Sequence, residues 1–434
     1  MKPLRIGMLG CGTVGTGVVR ILQSRARELA AYSGREWQIA RIAVKDPSKV
    51  RDQALPQALL TTDPATLWTD PDIDVVVEAA GGTGPVREWV LKCLESGRDI
   101  VTANKALLAE HGAELFEKAR KHGRAIGFEA SVAGGIPIIR VLQEGLIGNK
   151  ITALQGILNG TSNYILSQMT DEGRTYADVL KEAQRLGYAE ADPKLDVDGT
   201  DAAHKLAILA HLAFGVEAPL RSISRRGIEG IEAADIRFAS ELGYTIRLLA
   251  ETWHRDGKLA MHVSPVLLRK NAPLAQVRGV YNAVRVVADA VEDTLYYGRG
   301  AGMMPTASSV VADLADLALA RDRIVHRTGQ LWNPGAQDQA ALMASGDVRS
   351  RFYLRLLVSD RPGVMAEVAG ILATHEISIA SVIQHESSAV PGSGEVQMVI
   401  MTHEAKTSNF QQAVKKIDER GVAVAATTHF PVAD

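Results

Sequence analysis

Five acidic residues crowd around Lys205 in the stretch from Gly187 to Leu206, which reads GYAEADPKLDVDGTDAAHKL. Asp201 and Lys205 lie four apart, so a helix there puts both on one face. Glu190, Asp192, Asp196 and Asp198 precede them in a loop punctuated by glycine and proline, the kind of segment that holds small polar substrates on a rigid scaffold. Carboxylates suit a cationic amine, and a neighbouring lysine suits an oxygen that gains or loses a proton. A solvated acidic loop with an i, i+4 ion pair is the plainer alternative.

A second constellation opens the chain. The apolar run LRIGML leads into Gly10-Cys11-Gly12-Thr13-Val14-Gly15 and then a helical pattern through Val18, Val19, Ile21 and Leu22. In the order strand, G-x-G-x-x-G, helix, the glycines permit a tight turn and close approach of backbone to a pyrophosphate, whose charge meets the helix N-terminus. Gly10, Gly12, Thr13, Val14 and Gly15 are therefore candidate cofactor contacts. After the second strand the chain reads Val44-Lys45-Asp46; Lys45 suits a 2′-phosphate and Asp46 a free ribose hydroxyl, which leans towards NADP and leaves NAD open. Glu78 to Thr83, with Gly82, and Val101 to Lys105 each follow a predicted strand, where open α/β sheets bind ligands. Lys105 would face the nicotinamide end. From Glu129 to Ile136 a glycine-bearing loop leaves the sheet; it reads first as an interdomain hinge, although its carbonyls and the Glu129 carboxylate also suit a hard cation.

These residues need elements to position them. Strand-like runs at Leu4–Leu9, Gln38–Val44, Asp74–Ala79, Asp99–Val101 and Ala125–Phe128 alternate with helical segments, which predicts a Rossmann-like doubly wound parallel sheet over residues 1–130. After Ser131 the pattern changes, and strands at Lys150–Leu158, Leu259–Leu268 and Val280–Val287 predict an α+β unit for substrate binding and dimerisation over 131–300. Residues 337–350 read as a polar linker. From 351 to 434 the elements follow a β-α-β-β-α-β order, the ferredoxin-like arrangement.

Composition sets the bounds. At 434 residues the chain exceeds one ordinary core. A formal net charge of −2 gives no footprint for nucleic acid or an anionic membrane, and no apolar run approaches the roughly 20 residues of a bilayer span. Cys11 and Cys93 are the only cysteines, too few for a disulfide framework or a thiolate zinc site. A cytoplasmic small-molecule enzyme is the expectation.

Taken together, LGCGTVGTGVV, VTANKALLAEHG, EASVAGGIPII, ILNGTSNYIL, the acidic string and GRGAGMMPTASSVVADL resemble homoserine dehydrogenase in order and spacing over nearly the whole chain. Phe352 to Phe430, with DRPGVMAEVAGIL, is similar to an ACT domain, the regulatory module of the longer form. The resemblance implies interconversion of L-homoserine and L-aspartate 4-semialdehyde with NAD or NADP, in threonine, methionine and isoleucine biosynthesis. It implies Lys205 as acid/base, with Lys105 a second lysine at the reacting oxygen and Asp201 beside Lys205. Glu190, Asp196 and Tyr188 would contact substrate, with Gly160 and Thr161 near its carboxylate and amine. Glu129 and the carbonyls of Val132, Gly134 and Ile136 would hold a sodium-like ion (Na+). The resemblance also implies a homodimer or homotetramer, completion of the nucleotide domain by residues 300–330, and threonine binding around Asp360 to Gly363. Leu195 departs from the family, some members of which carry a carboxylate there. A phosphorylating semialdehyde dehydrogenase would need a nucleophilic cysteine, and neither thiol has a neighbouring histidine in sequence. A cofactor-fold amino-acid sensor without catalysis is the rival from another class, disfavoured by the presence of both lysines.

Overall fold

In a computed structural model, the structure describes residues 2–49, 52, 55–333, 340–385 and 394–433. The chain divides into two compact units: Met1–Thr152 with His204–Ser222 and Asn282–Ala340, and Ala153–Ala203 with Ile223–Tyr281 and Ala341–Asp434.

The first unit is built on six parallel strands, β1 (Leu4–Leu9), β2 (Trp37–Ala43), β3 (Leu60–Thr61), β4 (Val75–Glu78), β5 (Asp99–Thr102) and β6 (Ile126–Gly127), in the order β3-β2-β1-β4-β5-β6. That is the doubly wound Rossmann-like order, with its switch point between β1 and β4. Central strands of such a sheet are covered on both faces, which is why LRIGML and VVVE are near-continuous apolar runs. The Met303–Gln330 helix supplies part of that cover: its Ala307, Val310, Leu314 and Leu317 join Leu4, Ile6 and Met8 of β1 in one core. This helix is long and apolar enough to cross a membrane, yet it carries ion pairs from Arg321 to Asp99 and from Arg327 to Glu144. Its packing is that of a core helix, since Ala307, Val310, Leu314 and Leu317 lie in the core of the sheet. At Gly17 a Cβ would lie 2.6 Å from the Met303 carbonyl oxygen, so glycine lets the Thr13–Ser24 helix approach it.

In the second unit the strands Tyr244–Arg255 and Lys258–Arg269 pair antiparallel along their whole length. The C-terminal module continues this sheet through Thr428–Ala433, whose Val432 and Ala433 pair with Leu267 and Leu268. Its strands run Thr428–Ala433, Arg349–Ser359, Glu395–Thr402, Ile379–Gln384, the fourth-first-third-second order of a ferredoxin-like fold. Helices Val364–Thr374 and Thr407–Glu419 cover one face through Val368, Leu372, Phe410 and Ile417. On the other side, Asp235, 0% exposed, accepts from Arg355 Nε at 2.6 Å, Arg355 Nη2 at 3.1 Å and the Tyr353 hydroxyl at 3.2 Å. This buried ion pair joins the module to the Ala233–Glu241 helix.

Three local differences from the sequence reading have physical causes. Tyr244–Arg255 is a long strand that alternation misses, because its first nine residues are all buried and the run is interrupted by Arg247 and Glu251. The apolar run from Val422 to Phe430 predicts the last strand, but it starts at Thr428, and the segment before it makes an isolated bridge at Ala423. Of the segment read as a linker, residues 337–339 lie outside the described residues. The rest is structured: Ala341–Leu342 pairs with Lys258–Leu259, and Met343 N donates to Leu259 O.

Candidate active site

On the nucleotide side, the turn after β1 separates its glycines by role. Gly10 has φ +84°, and a Cβ there would lie 2.7 Å from Ala80 Cα, so both backbone conformation and space require glycine. Gly12 is different: a Cβ would meet nothing within 4 Å. It stands at the N-cap of the Thr13–Ser24 helix, whose first turn receives no side-chain cap. Uncapped N–H groups beside open space form an anion seat, and these residues fit a dinucleotide pyrophosphate. Gly15 is closed by contrast, since a Cβ there would lie 3.0 Å from the Gly10 carbonyl oxygen.

The ends of β4 and β5 are tied together. Glu78, 0% exposed, accepts from Ala80 N and Gly81 N at 2.9 and 3.0 Å and from Thr102 Oγ1 at 2.6 Å. Burial pushes its carboxyl upward, against the pull of these donors. Asn104 donates to Gly82 O at 2.8 Å and caps the Lys105–His122 helix by accepting from Leu107 N. That network fixes the Gly81-Gly82 turn and sets half-buried Lys105 at a helix start. Sequence reading passed over Glu78, Thr102 and Asn104 as positioning groups; the Asn before a helical run was the available signal. Lys45 lies exposed two residues beyond β2.

The five acids of the opening stretch are sorted by the structure. Asp192 and Asp198 serve their own backbone, accepting from Lys194 N at 3.2 Å and Thr200 N at 2.8 Å. Glu190 is exposed, as is Leu195. Asp196 and Asp201 are brought together by Asn159, whose Nδ2 donates to Asp196 Oδ1 at 2.8 Å and to Asp201 Oδ2 at 2.9 Å. Asn159 caps the Gly160–Glu172 helix. The next turn grips the same loop: Thr161 Oγ1 donates to Tyr188 O at 2.7 Å and Ser162 Oγ to Asp196 O at 2.8 Å. Tyr188 itself packs edge-on against Tyr164. Asp201 and Lys205 stand one turn apart on the Thr200–Phe214 helix, 7% and 8% exposed. Burial of both argues against the solvated ion pair of the plainer reading.

Around Glu129 the picture is more specific than a loop of carbonyls. Its two carboxylate oxygens accept from Ile139 N at 2.9 Å and Arg140 N at 3.0 Å, and Asp313 accepts from the Glu129 backbone N–H. Burial pushes Glu129 up to about 7 and Asp313 up to about 8. The Gly134 carbonyl accepts from Ser309 Oγ at 2.6 Å. Within the second unit a cavity of about 670 Å³ is lined by Glu251, His262, Arg349 and Phe410 and shares no residue with this site.

Known proteins agree with this layout. Family models match three segments: homoserine dehydrogenase over residues 137–315, its NAD binding domain over 10–129, and the ACT domain over 352–421. The homoserine dehydrogenases of Neisseria gonorrhoeae and Pseudomonas aeruginosa are 45% and 44% identical, each covering 96% of this chain and 96% of the relative. A crystal structure of a homoserine dehydrogenase from Thiobacillus denitrificans superposes with a TM-score of 0.93 at 42% identity, covering 100% of this chain and 99% of that one. A hyperthermophilic archaeal homoserine dehydrogenase in complex with NADPH matches 73% of this chain and 97% of its own, with a TM-score of 0.62 at 29% identity. Family models over most of its length and relatives at 44–45% identity place the chain in one family, and it belongs to the homoserine dehydrogenase family.

Proposed function

We propose that the protein interconverts L-homoserine and L-aspartate 4-semialdehyde, using Lys205 as acid/base. The observation that carries this reading is the pairing of Asp196 and Asp201 by one amide, with buried Lys205 one turn further along the same helix as Asp201. Asp196 and Glu190 bind the substrate ammonium, and Tyr188, Gly160 and Thr161 shape the pocket around its α-carbon. A bound nicotinamide would supply the redox chemistry, as acceptor of a hydride from the carbon that bears the hydroxyl or as its donor in reverse. Loss of that hydride requires loss of the hydroxyl proton, which Lys205 takes in its amine form and returns in the reverse direction. Lys105 places positive charge at the same oxygen as alkoxide character develops. Asp201 orients Lys205 from one turn away.

Gly10, Gly12, Thr13, Val14, Gly15 and Gly82 hold the dinucleotide, and exposed Lys45 favours NADP over NAD by meeting a 2′-phosphate. A sodium-like ion at Glu129, Val132, Gly134 and Ile136 belongs to the same reading. Both Glu129 carboxylate oxygens and the carbonyls of Gly134 and Ile136 already accept hydrogen bonds, so an ion there would use their remaining lone pairs. Threonine regulates through the ACT domain, where Gly363 at φ +90° opens the Val364–Thr374 helix without a side-chain cap. Exposed Leu295 and Tyr297 offer apolar surface to a second copy, as a homodimer or homotetramer needs. Both thiols are buried, and a cytoplasmic location belongs to the same reading.

Initial rates followed at the reduced-nicotinamide absorbance, with homoserine and each cofactor, test the reading. Saturable turnover, a lower KM for NADP and inhibition by threonine are expected. Cofactor binding without turnover of homoserine would favour the sensor.

A further inference from the structure

We propose that Asn159 is a positioning residue of this site: its carboxamide ties Asp196, which binds substrate, to Asp201, which orients Lys205, across two separate elements. The inference rests on the assignment of Asp196 and Asp201 made above. Asp196 lies in the one-turn helix Lys194–Val197 and Asp201 in the first turn of Thr200–Phe214, while Asn159 comes from the N-cap of Gly160–Glu172. The Asn159 side chain is 5% exposed, so its polar atoms depend on protein partners.

All of them are used. Nδ2 gives one N–H to Asp196 and one to Asp201, and Oδ1 accepts from Ser162 N at 2.8 Å. Exchanging oxygen and nitrogen would set an acceptor against two carboxylates and a donor against an N–H, so these three partners admit one orientation of the amide. Two donors and one cap acceptor on so short a stem are particular to asparagine. Aspartate keeps the cap and loses both donors; serine keeps the cap and offers one short hydroxyl. Donation to two carboxylates also offsets the repulsion of holding them close.

The test compares Asn159→Ser and Asn159→Asp with the unaltered enzyme. Both retain a cap oxygen, so thermal unfolding should shift little in the serine variant, whereas the aspartate variant, which sets a third carboxylate against two, should unfold at lower temperature. Homoserine KM should rise by about tenfold in the serine variant, the effect of one or two lost charge-assisted hydrogen bonds, and further in the aspartate variant. Nicotinamide KM should stay within about twofold, and the acid limb of kcat/KM for homoserine should move to higher pH. Unchanged homoserine KM and pH profile in folded Asn159→Ser would overturn the inference. So would a joint rise in both KM values with loss of thermal stability in both variants, which would mark a purely structural role. Asp196→Asn separates the two levels. If it leaves homoserine KM unchanged, the substrate-site assignment falls and this inference with it; if it raises KM while Asn159→Ser does not, only this inference fails.

Discussion

Replacing Gly12 with alanine separates what the cofactor needs from what the fold needs. A Cβ at this position meets nothing within 4 Å, and φ is −83°, so the new methyl does not clash and needs no left-handed backbone. Folding stability should therefore hold within about 0.5 kcal/mol. With dinucleotide bound, the same methyl stands where phosphate must approach the uncapped N–H groups of the Thr13–Ser24 helix. Loss of one charge-assisted hydrogen bond there costs about 1.5 to 3 kcal/mol, or about tenfold to hundredfold in Kd. Gly10→Ala is the contrast: its Cβ would lie 2.7 Å from Ala80 Cα at φ +84°, so it should lower the unfolding temperature. Fluorescence titration of the reduced dinucleotide, paired with thermal unfolding, reads both effects. An unchanged Kd in folded Gly12→Ala would refute the placement of the pyrophosphate.

Three further outcomes follow from particular residues. Lys45→Glu should weaken NADP far more than NAD, by charge repulsion at the 2′-phosphate, as measured by the two KM values; equal loss with both would refute the selectivity role. Arg355→Met leaves the fully buried Asp235 carboxylate without its cation and should cost about 3 to 5 kcal/mol in denaturant unfolding, whereas Asp235→Leu combined with Arg355→Met should recover most of that. His211 accepts from Trp332 N at 2.9 Å, and burial pushes it down to about 4. Against an unfolded value of about 6.5, the folded state binds fewer protons, so its contribution is complete above about pH 6.5 and lost as pH falls towards 4, on the order of 3 kcal/mol in all. His211→Gln should flatten the stability profile over that range.

Much of the fold was readable because its strands obey simple burial. β1 and β4 are covered on both faces and so appear as near-continuous apolar runs, and G-x-G-x-x-G between strand and helix locates the dinucleotide turn. Tyr244–Arg255 was not readable for the opposite reason: buried Arg247 donates to the carbonyls of Val277, Ile246 and Ala275, partners that local sequence does not reveal. In the site, spacing alone put Asp201 and Lys205 on one helix face. It could not sort the acids, because Asp192 and Asp198 differ from Asp196 only in whether backbone N–H groups or Asn159 claim their carboxylates. Glu129 shows the same limit. Its environment depends on Asp313, which is 184 residues away in sequence.

The central claim is that Lys205 moves the proton that accompanies hydride transfer. It is tested most directly by measuring kcat for homoserine oxidation in Lys205→Ala alongside dinucleotide Kd. The account predicts a fall in kcat on the order of 10²-fold or more with Kd nearly unchanged, since Lys205 is buried on the Thr200–Phe214 helix and not in the glycine turn. Retention of more than about a tenth of the unaltered rate would contradict it, because loss of a general acid/base costs more than that.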